Sequence, residues 1–314
     1  MSSSRTEVGW PPGSRQALRL LLGVGRVASA LDRAARALWG PSLTEVYTEP
    51  SSGRSYRVLT RADHDPRRPA PLLFLLHAYA THPDVALRGF ALEALAVHGR
   101  GFILVVPEGG RDAAGNYCWN ASRACCGEGP ARPDDLGYLR GVLAAVTRRY
   151  ALDRPGALVL GVSNGGFMAY RWACAAPAEL AAMACIAGAG PGSEDPPCVL
   201  GAPVSLLHIH GDQDQVVHYA GGRMRDSDYP SAQGSLAPFV RAAHADPLPR
   251  ARRVHTLLYG TIQEQRWSGR DARVALWTVQ GRGHQLRAAQ ACVLEILDFL
   301  AGPPSARLRA RAKR

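Results

Sequence analysis

The chain has 314 residues, 46% of them hydrophobic and 20% charged, which is enough to bury a large core in one α/β domain or two small ones. Its net charge of +11 is carried almost wholly by arginine, Lys313 being the single lysine. The arginines are scattered without interleaved aromatics, which argues against a nucleic-acid-binding protein, and the basic run Arg307 to Arg314 reads as a solvated terminus.

Residues 1–40 form a basic segment. The apolar stretch Leu20 to Gly25 is interrupted by Arg26 and followed by Ala28-Ser29-Ala30, which has the small residues of a signal-peptide cleavage site. The preferred reading is an amphipathic helix over Ser14 to Trp39 that lies on the body or on a membrane surface. No other stretch approaches the length of a membrane span, so a soluble mature protein is expected.

The body, residues 41–302, alternates strand and helix patterns, and the basic tail covers 303–314. Thr44 to Thr48 and Ser55 to Thr60 read as a hairpin turning at Pro50 to Gly53. Pro71 to Leu76 and Phe102 to Val106 are continuous apolar runs, as strands buried on both faces require. Val85 to His98 has helical spacing, and Glu108 to Pro133 is a long loop rich in Gly, Cys and Asn. Asp134 to Tyr150 is a helix with an acidic start and a basic end. An apolar strand ending at Gly161 is followed by a helix over Phe167 to Ala176. Met183 to Ala187, Val204 to His210, Val254 to Tyr259 and Val274 to Val279 complete the strands. Gln215 to Pro247 reads as polar and irregular, and Ala288 to Leu300 as the last helix. Such alternation predicts an α/β fold, a mostly parallel central sheet with helices on both faces.

Seven cysteines without a C-x-x-C pair disfavour a zinc ribbon or a thioredoxin motif. A loop disulfide from Cys118 to Cys125 or Cys126 is expected.

The chemistry centres on Gly161-Val162-Ser163-Asn164-Gly165, a G-x-S-x-G between an apolar strand and a helix. A sharp turn there lifts a serine hydroxyl clear of its neighbours, and its crowding demands residues without a Cβ. Serine is a weak nucleophile at neutral pH and needs a base that is itself oriented by an acid. In a nucleophile elbow of this architecture the chain order is serine, acid, histidine. His284, in Gly281-Arg282-Gly283-His284 after the last strand, is the candidate base. Asp212 and Asp214, beyond the strand ending at His210, are the candidate acids. The backbone N–H of Asn164, with one from the loop His77 to Thr81 assigned to Tyr79, would form an oxyanion hole. His208, His210, Asp212, Asp214 and His218 also lie close enough to suggest a metal, but the nucleophilic reading accounts for the stretch, and no metal or cofactor is expected.

With these residues placed, the chain resembles the polyhydroxybutyrate depolymerase-like serine esterases, related to feruloyl and acetylxylan esterases of the α/β-hydrolase superfamily. The resemblance runs from about Gly53 to Leu300. It rests on Leu76-His77-Ala78-Tyr79, Cys118-Trp119-Asn120 with Cys125-Cys126-Gly127, Asp134 to Tyr138, Gly161 to Met168, His208 to Gly211 with Asp214 and Tyr219 to Gly222, and Gly283-His284. It implies a catalytic set of Ser163, Asp214 and His284, Asp214 being chosen as the third residue after the His-Gly pair, with Asp212 as a hydrogen-bonding or turn residue. It also makes Trp119 a candidate contact for an acyl or aryl group, the other reading being a ring packed under the cysteine loop. The substrate implied is an ester, small or a soluble oligomer, since no separate polymer-binding domain is visible. Feruloyl or acetyl-sugar esters, peptide hydrolysis on the same fold, and an inert binding module are the alternatives. Many relatives are secreted, which suits the cysteine count, while the poor signal sequence leaves a cytoplasmic location open. Two departures stand out. Ala78 replaces the usual glycine and is expected to reshape the oxyanion loop, and Gln285-Leu286-Arg287 replaces an apolar wall after the histidine.

Overall fold

The computed structural model describes residues 25–125, 133–225, 227–249, 251–257, 260–285, 289 and 292–302. The first 24 residues and the basic tail from 303 lie outside this set.

The apolar runs Leu72–Leu76 (β3), Ile103–Pro107 (β4) and Ala157–Val162 (β7) form the middle of a ten-stranded sheet. The other strands are Leu43–Thr48 (β1), Ser55–Thr60 (β2), Leu180–Ile186 (β8), Ser205–Gly211 (β9), Ala251–Leu257 (β12), Gly260–Ser268 (β13) and Arg273–Val279 (β14). Their order is β1-β2-β4-β3-β7-β8-β9-β14-β13-β12. The stretch from β4 to β14 is parallel throughout, and the hairpins at each edge are antiparallel. Short two-stranded ladders join Gly110–Arg111 (β5) to Tyr117–Cys118 (β6) and Gly222–Met224 (β10) to Ser227–Tyr229 (β11). The expected α/β architecture is observed.

Every residue of β3 is buried, because both faces of the sheet are covered. Leu72, Phe74 and Leu76 point into a core shared with Asp135–Arg149 (α3), Asn164–Ala175 (α4) and Ala232–Ala242 (α5). Leu73 and Leu75 point into a second core with Gly25–Trp39 (α1), Pro83–Gly89 (α2) and Val293–Ala301 (α6). Helix α1 lies on the body: Ala35 is buried, Trp39 stacks on His98, and Arg36 pairs with Glu93 at 2.6 Å.

Several elements differ from expectation. The helix expected over Val85 to His98 is two pieces, α2 and a π-helical turn Glu93–His98, separated where Ala91 takes φ 47°. The segment expected to be irregular contains α5, capped by Ser231, whose side chain accepts from Gly234 N–H. Strand β13 was not foreseen. Its Glu264 faces inward and is satisfied by Trp277 Nε1–H at 2.7 Å and Arg266 at 2.8 Å. Among the described residues the disulfide is Cys174–Cys198, with Cα atoms 4.8 Å apart, tying the end of α4 to the segment before β9. Cys118 and Cys125 are buried, and Cys126 lies outside the described residues.

Candidate active site

Strand β7 delivers Ser163 to the amino terminus of α4 with φ 51° and ψ −115°. A non-glycine residue there is strained by about 1–3 kcal/mol, held by surrounding contacts. Ser163 N–H donates to Ile186 O at 2.7 Å, and the Ser163 carbonyl accepts from Gly166 and Phe167. The flanking glycines have steric causes. A Cβ on Gly161 would fall on the carbonyl of Gly165, and one on Gly165 on the carbonyl of Leu76. The helix therefore starts at Asn164, three residues before the expected Phe167, pressed against the loop that follows β3.

His284 comes from the loop after β14, and Asp214 from the loop after β9, the strand beside it. His284 Nε2 lies 2.9 Å from Ser163 Oγ, and its Nδ1 lies 2.8 Å from Asp214 Oδ2. With Nδ1–H donating to the carboxylate, Nε2 accepts from the serine hydroxyl. Asp214 is buried, and its other oxygen accepts from Val216 N–H at 2.8 Å and Val217 N–H at 2.9 Å. Burial alone would raise its pKa; hydrogen bonds from His210 and His284, the charge of His284 and the Val216 N–H outweigh it and hold the carboxyl well below the usual range. Asp212 does not join this line. Its carboxylate accepts from Gly281 N–H at 2.7 Å, and Gln213 N–H donates to Arg282 O at 2.9 Å, so the acid loop fastens the histidine loop.

Strand β3 neighbours β7, with Leu76 opposite Gly161, so the His77-Ala78-Tyr79 loop opens beside Ser163. Asn164 is the first helical residue, where no carbonyl of its own helix can accept its N–H. Ala78 is not among the residues with positive φ, so its Cβ brings no left-handed strain to the loop; the left-handed residue is Ala80, φ 53°. Tyr79 fixes the loop through its hydroxyl, which donates to Asp112 Oδ2 at 2.6 Å. His77, unremarked as a ligand of the loop, is wholly buried: its Nδ1 bonds to Ala78 O and its Nε2 accepts from Gly109 N–H, both at 2.9 Å. Burial depresses its pKa to about 4, so the ring is neutral at pH 7.

Trp119, a candidate acyl or aryl contact, is 0% exposed and presents no surface to a ligand in this structure. It lies against His77 at 4.9 Å between centroids, and its Nε1–H donates to His77 O at 3.0 Å. Asp135, buried at the start of α3, pairs with Arg54 and accepts from Asn120 N–H, fixing the loop that carries Trp119.

His208 and His210 are buried on one face of β9, and each of their ring nitrogens has a hydrogen-bonding partner within the protein. Their adjacency to Asp214 was legible as a cluster in sequence, but the identity of their partners was not.

No family model matches the chain. It is 25% identical over 284 residues to a bifunctional acetylxylan esterase/xylanase of Neocallimastix patriciarum, covering 84% of this chain and 36% of that protein. It is 25% identical over 189 residues to feruloyl esterase C of Emericella nidulans, covering 58% of this chain and 62% of that one. The chain thus spans from about a third to under two-thirds of the length of these relatives. Among solved structures, an acetyl xylan esterase from Aspergillus awamori superposes with TM-score 0.58 at 14% identity, covering 82% of this chain and 99% of that one. The Bacillus cereus carboxylesterase gives TM-score 0.53 at 14% identity, over 80% and 95% of the two chains. The fold is that of the α/β-hydrolases. Its sequence relatives are acetylxylan and feruloyl esterases.

Proposed function

We propose that this chain is a carboxylic ester hydrolase that works through Ser163, His284 and Asp214. The observation that carries the reading is the continuous line from Ser163 Oγ through His284 to the buried Asp214 carboxylate, at 2.9 and 2.8 Å, at the strained start of a helix. Ser163 attacks the ester carbonyl as His284 Nε2 takes its proton. Asp214 holds the imidazole tautomer and stabilises the imidazolium. The developing oxyanion is received by the N–H groups of Asn164 and Tyr79, each such donor being worth about 3 kcal/mol in the transition state. The carbonyl re-forms, the alcohol leaves with the proton from His284, and water releases the acyl group by the reverse sequence.

The relatives support acetyl or feruloyl esters of sugars as first substrates ahead of hydroxybutyrate oligomers. A panel of p-nitrophenyl acetate, acetylated and feruloylated sugars and hydroxybutyrate oligomers tests this, with fluorophosphonate labelling to report the nucleophile. Labelling of Ser163 with turnover of acetyl or feruloyl esters is the expected result. Absence of labelling would point to an inert fold, and turnover of peptides alone to a peptidase.

A further inference from the structure

The buried polar groups behind Asp214 have no part in the ester chemistry above. His208 and His210 are 0% and 1% exposed. They share one face of β9, two residues apart, with rings stacked at 5.3 Å and 7°. Burying an imidazole is costly unless both nitrogens are partnered, and here all four are. Tyr170 OH lies 2.7 Å from His208 Nδ1, and His208 Nε2 lies 3.0 Å from His210 Nδ1. His210 Nε2 lies 2.7 Å from Val217 O and 3.2 Å from Asp214 Oδ2.

The last two oxygens only accept, so the proton at that end sits on His210 Nε2. Burial disfavours the charged form of His208, and with that single proton on His210 the rest follows. His210 Nδ1 must accept, so His208 donates from Nε2, and its own Nδ1 accepts the Tyr170 hydroxyl proton. The line runs one way, from α4 across β9 to the acid. Tyr170 stands on α4, seven residues after Ser163. The helix that begins at the nucleophile is therefore joined to the acid through the core.

We infer that His210, backed by His208 and Tyr170, is a positioning residue for Asp214: it donates from Nε2 to the main chain of the loop bearing that carboxylate, which sets Nε2 3.2 Å from Oδ2, and so fixes Oδ2 toward His284. This rests on the reading of Ser163, His284 and Asp214 as a triad. Without His210, Asp214 keeps two backbone donors on Oδ1 but only His284 on Oδ2. The carboxylate then turns more freely, and more of its charge falls on His284, which favours the imidazolium. The other groups facing the line are Tyr219, its ring 5.8 Å from that of His210, and Cys185 and Ser235 near Tyr170.

The test is the hydrolysis of p-nitrophenyl acetate by the full chain as wild type, His210→Leu, His210→Gln, Tyr170→Phe and Ser163→Ala, with kcat, KM, pH profile and thermal melting for each. His210→Leu is expected to lose about 10- to 100-fold in kcat, as misplaced catalytic groups do, with KM within about twofold and the acid limb of kcat/KM displaced to higher pH. His210→Gln, which keeps an N–H donor near the Nε2 position, recovers most of the loss. Tyr170→Phe, lacking only the hydroxyl, shows a smaller change in the same direction. A folded His210→Leu with wild-type kcat and pH profile overturns the inference, as does His210→Gln performing no better than His210→Leu. Should His210→Leu fail to fold, Tyr170→Phe decides, and wild-type behaviour overturns. If Ser163→Ala retains turnover, the triad reading fails and this inference falls with it. If Ser163→Ala is inactive while the His210 and Tyr170 variants are unchanged, this inference alone fails.

Discussion

The side chain of Asn164 holds the main chain of Trp119 from both sides: Oδ1 accepts Trp119 N–H at 2.6 Å, and Nδ2 donates to Trp119 O at 2.9 Å. Trp119 in turn donates from Nε1 to His77 O. The residue after the nucleophile, the cysteine-rich loop and the loop after β3 are thus one fastened unit. Oxyanion donors are effective only when fixed before the reaction begins, and this clamp ties the proposed donor Asn164 to the loop that carries the proposed donor Tyr79.

Asn164→Ala leaves two buried main-chain groups without that partner. A loss of about 2–5 kcal/mol is expected, read from urea unfolding, together with a fall in kcat. An unchanged unfolding midpoint would show that the clamp is dispensable.

Trp119→Phe removes one hydrogen bond and some ring area, with a cost of about 1 kcal/mol from the bond itself. Because the ring is fully buried, KM for feruloyl and acetyl esters should stay within about twofold of wild type. A selective rise in KM for the aryl ester would return Trp119 to the substrate site.

His77 links stability to pH. Its folded pKa of about 4 lies below the ordinary histidine value of about 6.5, so the unfolded chain binds the extra proton first. Its contribution is whole above pH 6.5 and is lost as pH falls toward 4, by about 3 kcal/mol across that window. Replacing it with asparagine should flatten the pH dependence of unfolding between those limits. An identical slope in wild type and His77→Asn would contradict the assignment.

Asp212 acts through the backbone of the histidine loop. Asp212→Ala should lower kcat about 10-fold by freeing His284, while Asp212→Asn, which keeps an acceptor for Gly281 N–H, should lose little. Equal losses in the two variants would mean that the charge, and not the hydrogen bond, matters. Stopped turnover in both with an intact melt would place Asp212 in the chemistry itself.

The buried strands were legible because parallel strands covered on both faces read as unbroken apolar runs, as in Leu72 to Leu76. Ser163 and His284 were legible because a strand-turn-helix context and a fixed chain order specify them. Strand β13 was hidden by Gln263-Glu264-Gln265-Arg266, a polar run whose inward Glu264 is satisfied by Trp277 of the neighbouring β14 and by Arg266 two residues along the same strand. Helix α5 was hidden by Gly234 and Pro238, which break the pattern around its buried Leu236, Phe239 and Val240. The role of His210 needed Tyr170, 38 residues before His208, to be brought to it by packing, and no local pattern carries that. Cys174–Cys198 likewise follows from where α4 ends, not from any spacing motif.

The central claim is that Ser163 is the nucleophile. The direct measurement is p-nitrophenyl acetate hydrolysis by Ser163→Ala against wild type at equal folded concentration. A loss of about 10⁴-fold or more in kcat, with the melting temperature kept, is the predicted result; hydrolysis at the wild-type rate would contradict the account.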